Sequence, residues 1–216
     1  MKKVFIGGVI MSTLLLSSAN ADSRWYTGLE LGMASSNFDI KYKSSYFSIP
    51  SEDFDNNYKD IKLVVGKGIG NDSYIQLYFL SAKYDDMFPA VIKDDKMTEF
   101  GVEFIKQFKV DKQIYPFIKA GFGVASMKLN DKETLYFDDG SSMDFSFSDS
   151  NLLGTSFTIG AGLDFKATEN ISILAGLDFN YRQWQDIKYE VSGLKVLTME
   201  NSQSTTKFYV GANYRF

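Results

Sequence analysis

The sequence predicts an all-β fold, an eight-stranded antiparallel transmembrane up-and-down β-barrel with long loops at one end and short turns at the other. Three observations predict it. Apolar and polar residues alternate with a period of two in segments of about ten residues, the length of a tilted strand that crosses a membrane. The links between those segments are alternately short and long. The composition also suits strands: aromatics make up 16%, with 19 Phe and 13 Tyr, against only 3 Pro.

The N-terminus stands apart from this pattern. Met1-Lys2-Lys3 is a short positive stretch, Val4 to Leu16 is mainly apolar, and Ser17 to Ala21 supplies small residues in an A-x-A pattern. This reads as a signal peptide, residues 1–21, cleaved after Ala21. Its apolar core is too short to span ~30 Å of hydrocarbon as a helix. Residues 22–216 are then the barrel domain. No later run reaches the ~18–20 apolar residues of a membrane helix, so hydropathy alone misses the fold.

The eight segments follow in order. Trp25, Thr27, Leu29, Leu31 and Met33 oppose Tyr26, Gly28, Glu30 and Gly32. Ile61, Leu63 and Val65 oppose Asp60, Lys62, Val64 and Gly66; Ile75, Leu77 and Phe79 oppose Tyr74, Gln76 and Tyr78. Phe100, Val102 and Phe104 oppose Glu99, Gly101 and Glu103. Ile118, Ala120, Phe122 and Val124 oppose Lys119, Gly121, Gly123 and Ala125. Phe157 to Phe165 and Ile173 to Phe179 alternate likewise, with Asp164 and Asp178 on the polar side. Phe208, Val210, Ala212, Tyr214 and Phe216 close the series against Lys207, Tyr209, Gly211, Asn213 and Arg215.

Short turns are expected at Gly68 to Ser73, Lys109 to Gln113 and Ala167 to Asn170, and long connections at roughly 35–57, 85–96, 128–153 and 184–204. Thr134 to Phe147, around Asp139-Gly140, and Ile187 to Met199, around Ser192-Gly193, read as hairpins that continue above the membrane. Ten crossing strands is the competing count. A soluble sandwich uses the same alternation. Against it stand aromatics near interface depth: Trp25, Phe108, Tyr115, Phe165 and Phe216 at one end, Tyr58, Tyr84, Tyr181 and Trp184 at the other.

Strand parity assigns the lumen side chains: Glu30, Asp60, Lys62, Glu99, Glu103, Lys119, Asp164, Asp178, Arg182, Lys207 and Arg215. Six acids and five bases nearly balance. An eight-stranded lumen has room only for side chains, so mutual pairing is expected, with Glu30, Glu99 and Glu103 bound to Lys62, Lys119 and neighbouring bases. Such a network reads as a plug, with a small gated ion path as the alternative.

Pro116 to Ala125 and the closing Tyr209-Val-Gly-Ala-Asn-Tyr-Arg-Phe216 resemble the small OmpA/OmpX-type outer-membrane β-barrel family. The resemblance covers the whole mature chain and implies residence in a cell outer membrane, with outer-membrane lipids and lipopolysaccharide as neighbours. It also implies that Gly211, Tyr214 and Phe216 form the C-terminal signal read by the outer-membrane assembly machinery. The chain ends at Phe216, so the cell-wall-binding domain of some relatives is not expected.

The chain has no histidine and no cysteine. Ser-His-Asp and Cys-His activation and the usual transition-metal ligands are therefore excluded, and neither enzymatic activity nor a cofactor is expected. Asp138, Asp139, Asp144 and Asp149 are the residual candidates for acid/base work or Ca²⁺ binding, although outer-loop acids are commonly solvated. The net charge of −4 carries no nucleic-acid signal. The aromatic loops, as at Tyr42 to Phe47 and Leu135 to Phe137, suit contact with a host, phage or other cell-surface partner.

Overall fold

The computed structural model describes residues 24–43, 51–85, 92–129, 132–136, 142–147, 151–191 and 194–216. The expected signal segment lies outside them, as do Asp138, Asp139 and Asp149 and the side chain of Asp144. Eleven strands are described: β1 (Trp25–Lys43), β2 (Glu52–Gly70), β3 (Ser73–Tyr84), β4 (Ile92–Gln107), β5 (Ile114–Leu129), β6 (Lys132–Tyr136), β7 (Ser142–Phe147), β8 (Asn151–Lys166), β9 (Ile171–Trp184), β10 (Ile187–Val191) and β11 (Leu194–Arg215). Eight of them run β1-β2-β3-β4-β5-β8-β9-β11, and β1 pairs back on β11 to close the barrel. Phe216 N donates to Trp25 O at 3.0 Å, so the first and last strands meet at the short-turn end.

The remaining three strands form a flap at the long-loop end. β6 and β7 make a hairpin, β7 pairs with β10, and β10 pairs with residues 194–199 of β11. The Thr134–Phe147 hairpin thus attaches sideways instead of prolonging β5 and β8. At the opposite end, Asn71 and Asp72 carry φ of 49° and 52°. That is the two-residue turn whose twist matches paired antiparallel strands, and it narrows the expected Gly68–Ser73 link to its tip.

Two expectations need correction. Most of the long connection at 35–57 is strand: β1 and β2 each run 19 residues, about 60 Å at ~3.3 Å per residue. That far exceeds an apolar band of ~25 Å, even for tilted strands. The faces also change character along these extensions. Leu29, Leu31 and Met33 are exposed on the outside of β1, and the outward positions then become Ser35, Asn37, Asp39 and Lys41. Inward, Glu30 gives way to Ala34, Phe38 and Ile40, all buried. Beyond the band the barrel becomes water-facing outside and apolar inside, because solvent there replaces lipid.

That inversion also corrects the aromatic girdle. Trp25, Phe108, Phe165, Tyr181 and Phe216 are exposed on the outer face. Tyr115 and Trp184 instead point inward with relative exposures of 7% and 2%, and Tyr58 and Tyr84 are buried with them. Trp184 shares its parity with Asp178 and Arg182, and Tyr115 with Lys119, so the pleat turns all of them inward. Phe38, Tyr58, Tyr84, Met97, Met127, Leu152, Trp184 and Ile187 pack as an apolar core inside the outer, long-loop end of the barrel.

Candidate functional site: the charged lumen

Below that core the inward positions are charged. Glu30, Lys62, Glu99, Glu103, Lys119, Asp164, Asp178, Arg182, Lys207 and Arg215 are all buried inside the barrel, together with Asp60. Alternation delivers each of them from a different point of the wall, and closure of the sheet brings distant strands face to face.

At the centre, Lys62 Nζ on β2 donates at 2.7 Å to both carboxylate oxygens of Glu103 on β4 and lies 3.4 Å from Glu30 Oε2 on β1. Lys119 Nζ on β5 reaches Asp178 on β9 at 2.9 Å, Glu103 at 3.6 Å and Glu30 at 4.0 Å. Gln76 Nε2 also donates to Glu103, and Tyr26 Oη donates to Gln76. Lys119 sits 4.2 Å from the centre of the Tyr209 ring and Lys62 4.6 Å from that of Tyr78, so ring faces add a second attraction.

Toward the outer end, Glu99 accepts from Tyr78 Oη at 2.6 Å, Ser156 Oγ at 2.8 Å and Arg182 Nε at 2.7 Å. Asp60 lies 3.4 Å from Lys207. Between those two strands stands β1, where a Cβ on Gly32 would come within 2.6 Å of Asp60 Oδ2. The missing side chain leaves the path by which Asp60 crosses β1. Above, Gln203 donates to Ser36 Oγ and Tyr84 Oη and accepts from Arg182 and Trp184, tying the charged layer to the apolar core. Toward the short turns, Asp164 accepts from Arg215 at 3.0 Å and Gln107 at 2.6 Å, beside a smaller apolar group of Phe117, Leu174 and Tyr209.

All eleven lumen charges therefore have an opposite charge within 4.0 Å. The centre holds three carboxylates against two ammoniums, and the other pairs balance one to one. Two cavities of about 20 Å³ flank the central group, one beside Thr158 and Asn180, the other beside Gln107 and Asn213. Each has room for roughly one water molecule. The arrangement cross-braces the wall through ion pairs between strands that are distant in the sheet.

The uncharged members Gln107, Ser156 and Gln203 are the part that sequence reasoning missed, although their parity places them on the lumen face, where the alternation had already put Gln76. Gly211 is packed against Glu30, while Tyr214 and Phe216 are exposed on the outer face of the last strand.

No family model and no curated protein matches the sequence. Among solved structures, the chain is similar to outer membrane protein AlkL in lipid bilayers, at 12% identity over 93% of this chain and 93% of that one, with a TM-score of 0.51. OprG from Pseudomonas aeruginosa aligns at 13% identity over 90% and 97%, TM-score 0.49. Neisserial surface protein A aligns at 14% over 86% and 97%, TM-score 0.48. The fold is that of the outer-membrane β-barrels.

Proposed function

We propose that this protein is exported to a cell outer membrane and acts at the surface, as an anchored structural or interaction barrel whose lumen is closed. The observation that carries this reading is the double filling of the interior, a paired charge network beneath an apolar core that includes Tyr58, Tyr84, Met97 and Trp184. A hydrated ion would have to break charge pairs and then desolvate against aromatic rings, and both steps are expensive. Strands that continue past the apolar band, and the β6–β7–β10 flap, lift the loops toward a host, phage or cell-surface partner. The outward Tyr214 and Phe216 are the residues offered to the assembly machinery.

The competing function is a narrow porin-like path for ions or small solutes. Planar-bilayer recordings of the purified barrel separate the two. We expect no stable unitary steps. Reproducible steps whose size changes in Lys119→Ala would establish conduction through the lumen and overturn the closed reading.

A further inference from the structure

The outer face of the barrel carries an organised basic feature just beyond the apolar band. Lys59 on β2 is the direct cross-strand partner of Lys83 on β3, and Lys83 of Lys96 on β4. Lys128 on β5 stands one position beyond the Met97–Met127 pair, as Lys96 does on β4. All four side chains are exposed and outward. Neighbouring strands lie ~4.8 Å apart, so the four ammoniums extend over ~15 Å.

Like charges placed directly opposite each other destabilise a sheet. Among the described residues none of these four lysines has a carboxylate within ion-pair distance, whereas Lys41 and Lys43 pair with Asp39 and Glu200. Nor are lysines spread evenly around the barrel. In register with the ends of the rung stand Asn151 on β8, paired with Lys128, and Met33 on β1, paired with Lys59. In a chain of net charge −4, the four-lysine rung on β2–β5 is a local excess of positive charge among the described residues, open to an anionic ligand.

The rungs beneath indicate its chemistry. Next toward the membrane come Ile61, Ser81, Thr98 and Ser126 in register, three hydroxyls in a row. Below them stand Leu63, Phe79, Phe100 and Val124, each about half exposed. Read outward, the surface is apolar, then hydroxyl, then cationic. That order matches an amphiphile with acyl chains, a polar linkage and anionic phosphates. Because the strands tilt by ~35–45°, the rung climbs from Lys59, next to the lipid-facing Ile61, and spreads its ammoniums over the headgroup depth.

We propose that Lys59, Lys83, Lys96 and Lys128, with Ser81, Thr98 and Ser126, form a binding site for a phosphorylated outer-leaflet glycolipid. The site rests on the reading that the long-loop end faces outward from a bilayer. It gives the barrel one lipid-binding side, so the bound lipid neutralises the lysine rung and orients the protein in its leaflet.

The test uses the full mature barrel in neutral detergent, with bisphosphoryl lipid A and its dephosphorylated form as probes, read by native mass spectrometry. Lys83→Gln/Lys96→Gln should lower affinity for the bisphosphoryl lipid about 30-fold, the effect of two ammoniums near an anionic lipid surface. Lys109→Gln/Lys112→Gln, at the short-turn end, should change it less than about threefold. Without lipid, the Lys83/Lys96 variant should melt at the same temperature as the parent or higher, because a repulsion has been removed. The proposal is overturned if that variant keeps its affinity, if the short-turn variant loses as much, if the dephosphorylated lipid binds equally, or if the Lys83/Lys96 variant melts lower without lipid. Displacement of the lipid by excess inorganic pyrophosphate would also overturn it, by making free phosphate the occupant. Conductance does not enter this readout, so a conducting lumen would sink the closed-barrel reading and leave the lipid site standing.

Discussion

Lys119→Met should destabilise the folded barrel by about 3–5 kcal/mol, the usual cost of removing one partner from a buried ion pair. Lys119 is the ammonium that Asp178, Glu103 and Glu30 all face, at 2.9, 3.6 and 4.0 Å. Once it is gone, three central carboxylates share only Lys62, and cavities of about 20 Å³ admit too little water to solvate them. Equilibrium unfolding in urea from lipid vesicles, followed by tryptophan fluorescence, measures the loss. A change below about 1 kcal/mol would show that the network is not coupled through Lys119. A second variant separates charge from shape. Lys119→Met/Asp178→Asn removes the nearest orphaned carboxylate and should recover a large part of the loss, a non-additivity expected only for residues in contact.

Gly101→Ala should prevent the barrel from folding. Gly101 on β4 faces Gly123 on β5, and the ring of Tyr78 lies over that bare stretch of wall while its hydroxyl holds Glu99. A Cβ at Gly101 would fall 2.3 Å from the backbone oxygen of Phe122 and 2.5 Å from Tyr78 Oη. A flexible side chain could yield, but a backbone oxygen within the β4–β5 ladder cannot move without losing ladder hydrogen bonds. Gly123→Ala is the matched control. The three atoms nearest its Cβ would be side-chain ends, those of Tyr78, Glu99 and Ser156. It should therefore fold, at a cost of about 1–3 kcal/mol. Unheated gel mobility, which separates compact barrel from unfolded chain, reads both variants. A compact Gly101→Ala band equal to that of the parent would show that the close approach is not limiting.

Legibility in the sequence followed the solvent each face meets. Leu29, Leu31 and Met33 against Gly28, Glu30 and Gly32 declare a lipid face and a lumen face without any partner strand in view. Beyond the band the same pleat continues through Ser35, Asn37 and Asp39 outside and Phe38 and Ile40 inside. A rule of apolar outside and polar inside reads that stretch as loop, since the solvent has changed from lipid to water. Tyr115 and Trp184 were misplaced for a related reason. Aromatic identity and expected depth suggested a girdle, while parity, already visible in Lys119 and Arg182, puts both inside.

Pairing partners belong to another level. Glu30 and Lys62 are adjacent across β1–β2, but Lys119 meets Asp178 and Arg182 meets Glu99 only across the lumen. By itself the sequence determined the eight two-faced segments, the side of the wall for each charge and the near-neutral lumen, because these follow from a local period of two. Which acid meets which base, the apolar core inside the long-loop end, and the register that aligns Lys59, Lys83 and Lys96 were decided by the tertiary structure. Each of these depends on how far one strand slides along its neighbour and which strands face each other once the sheet closes, and no local alternation encodes either quantity.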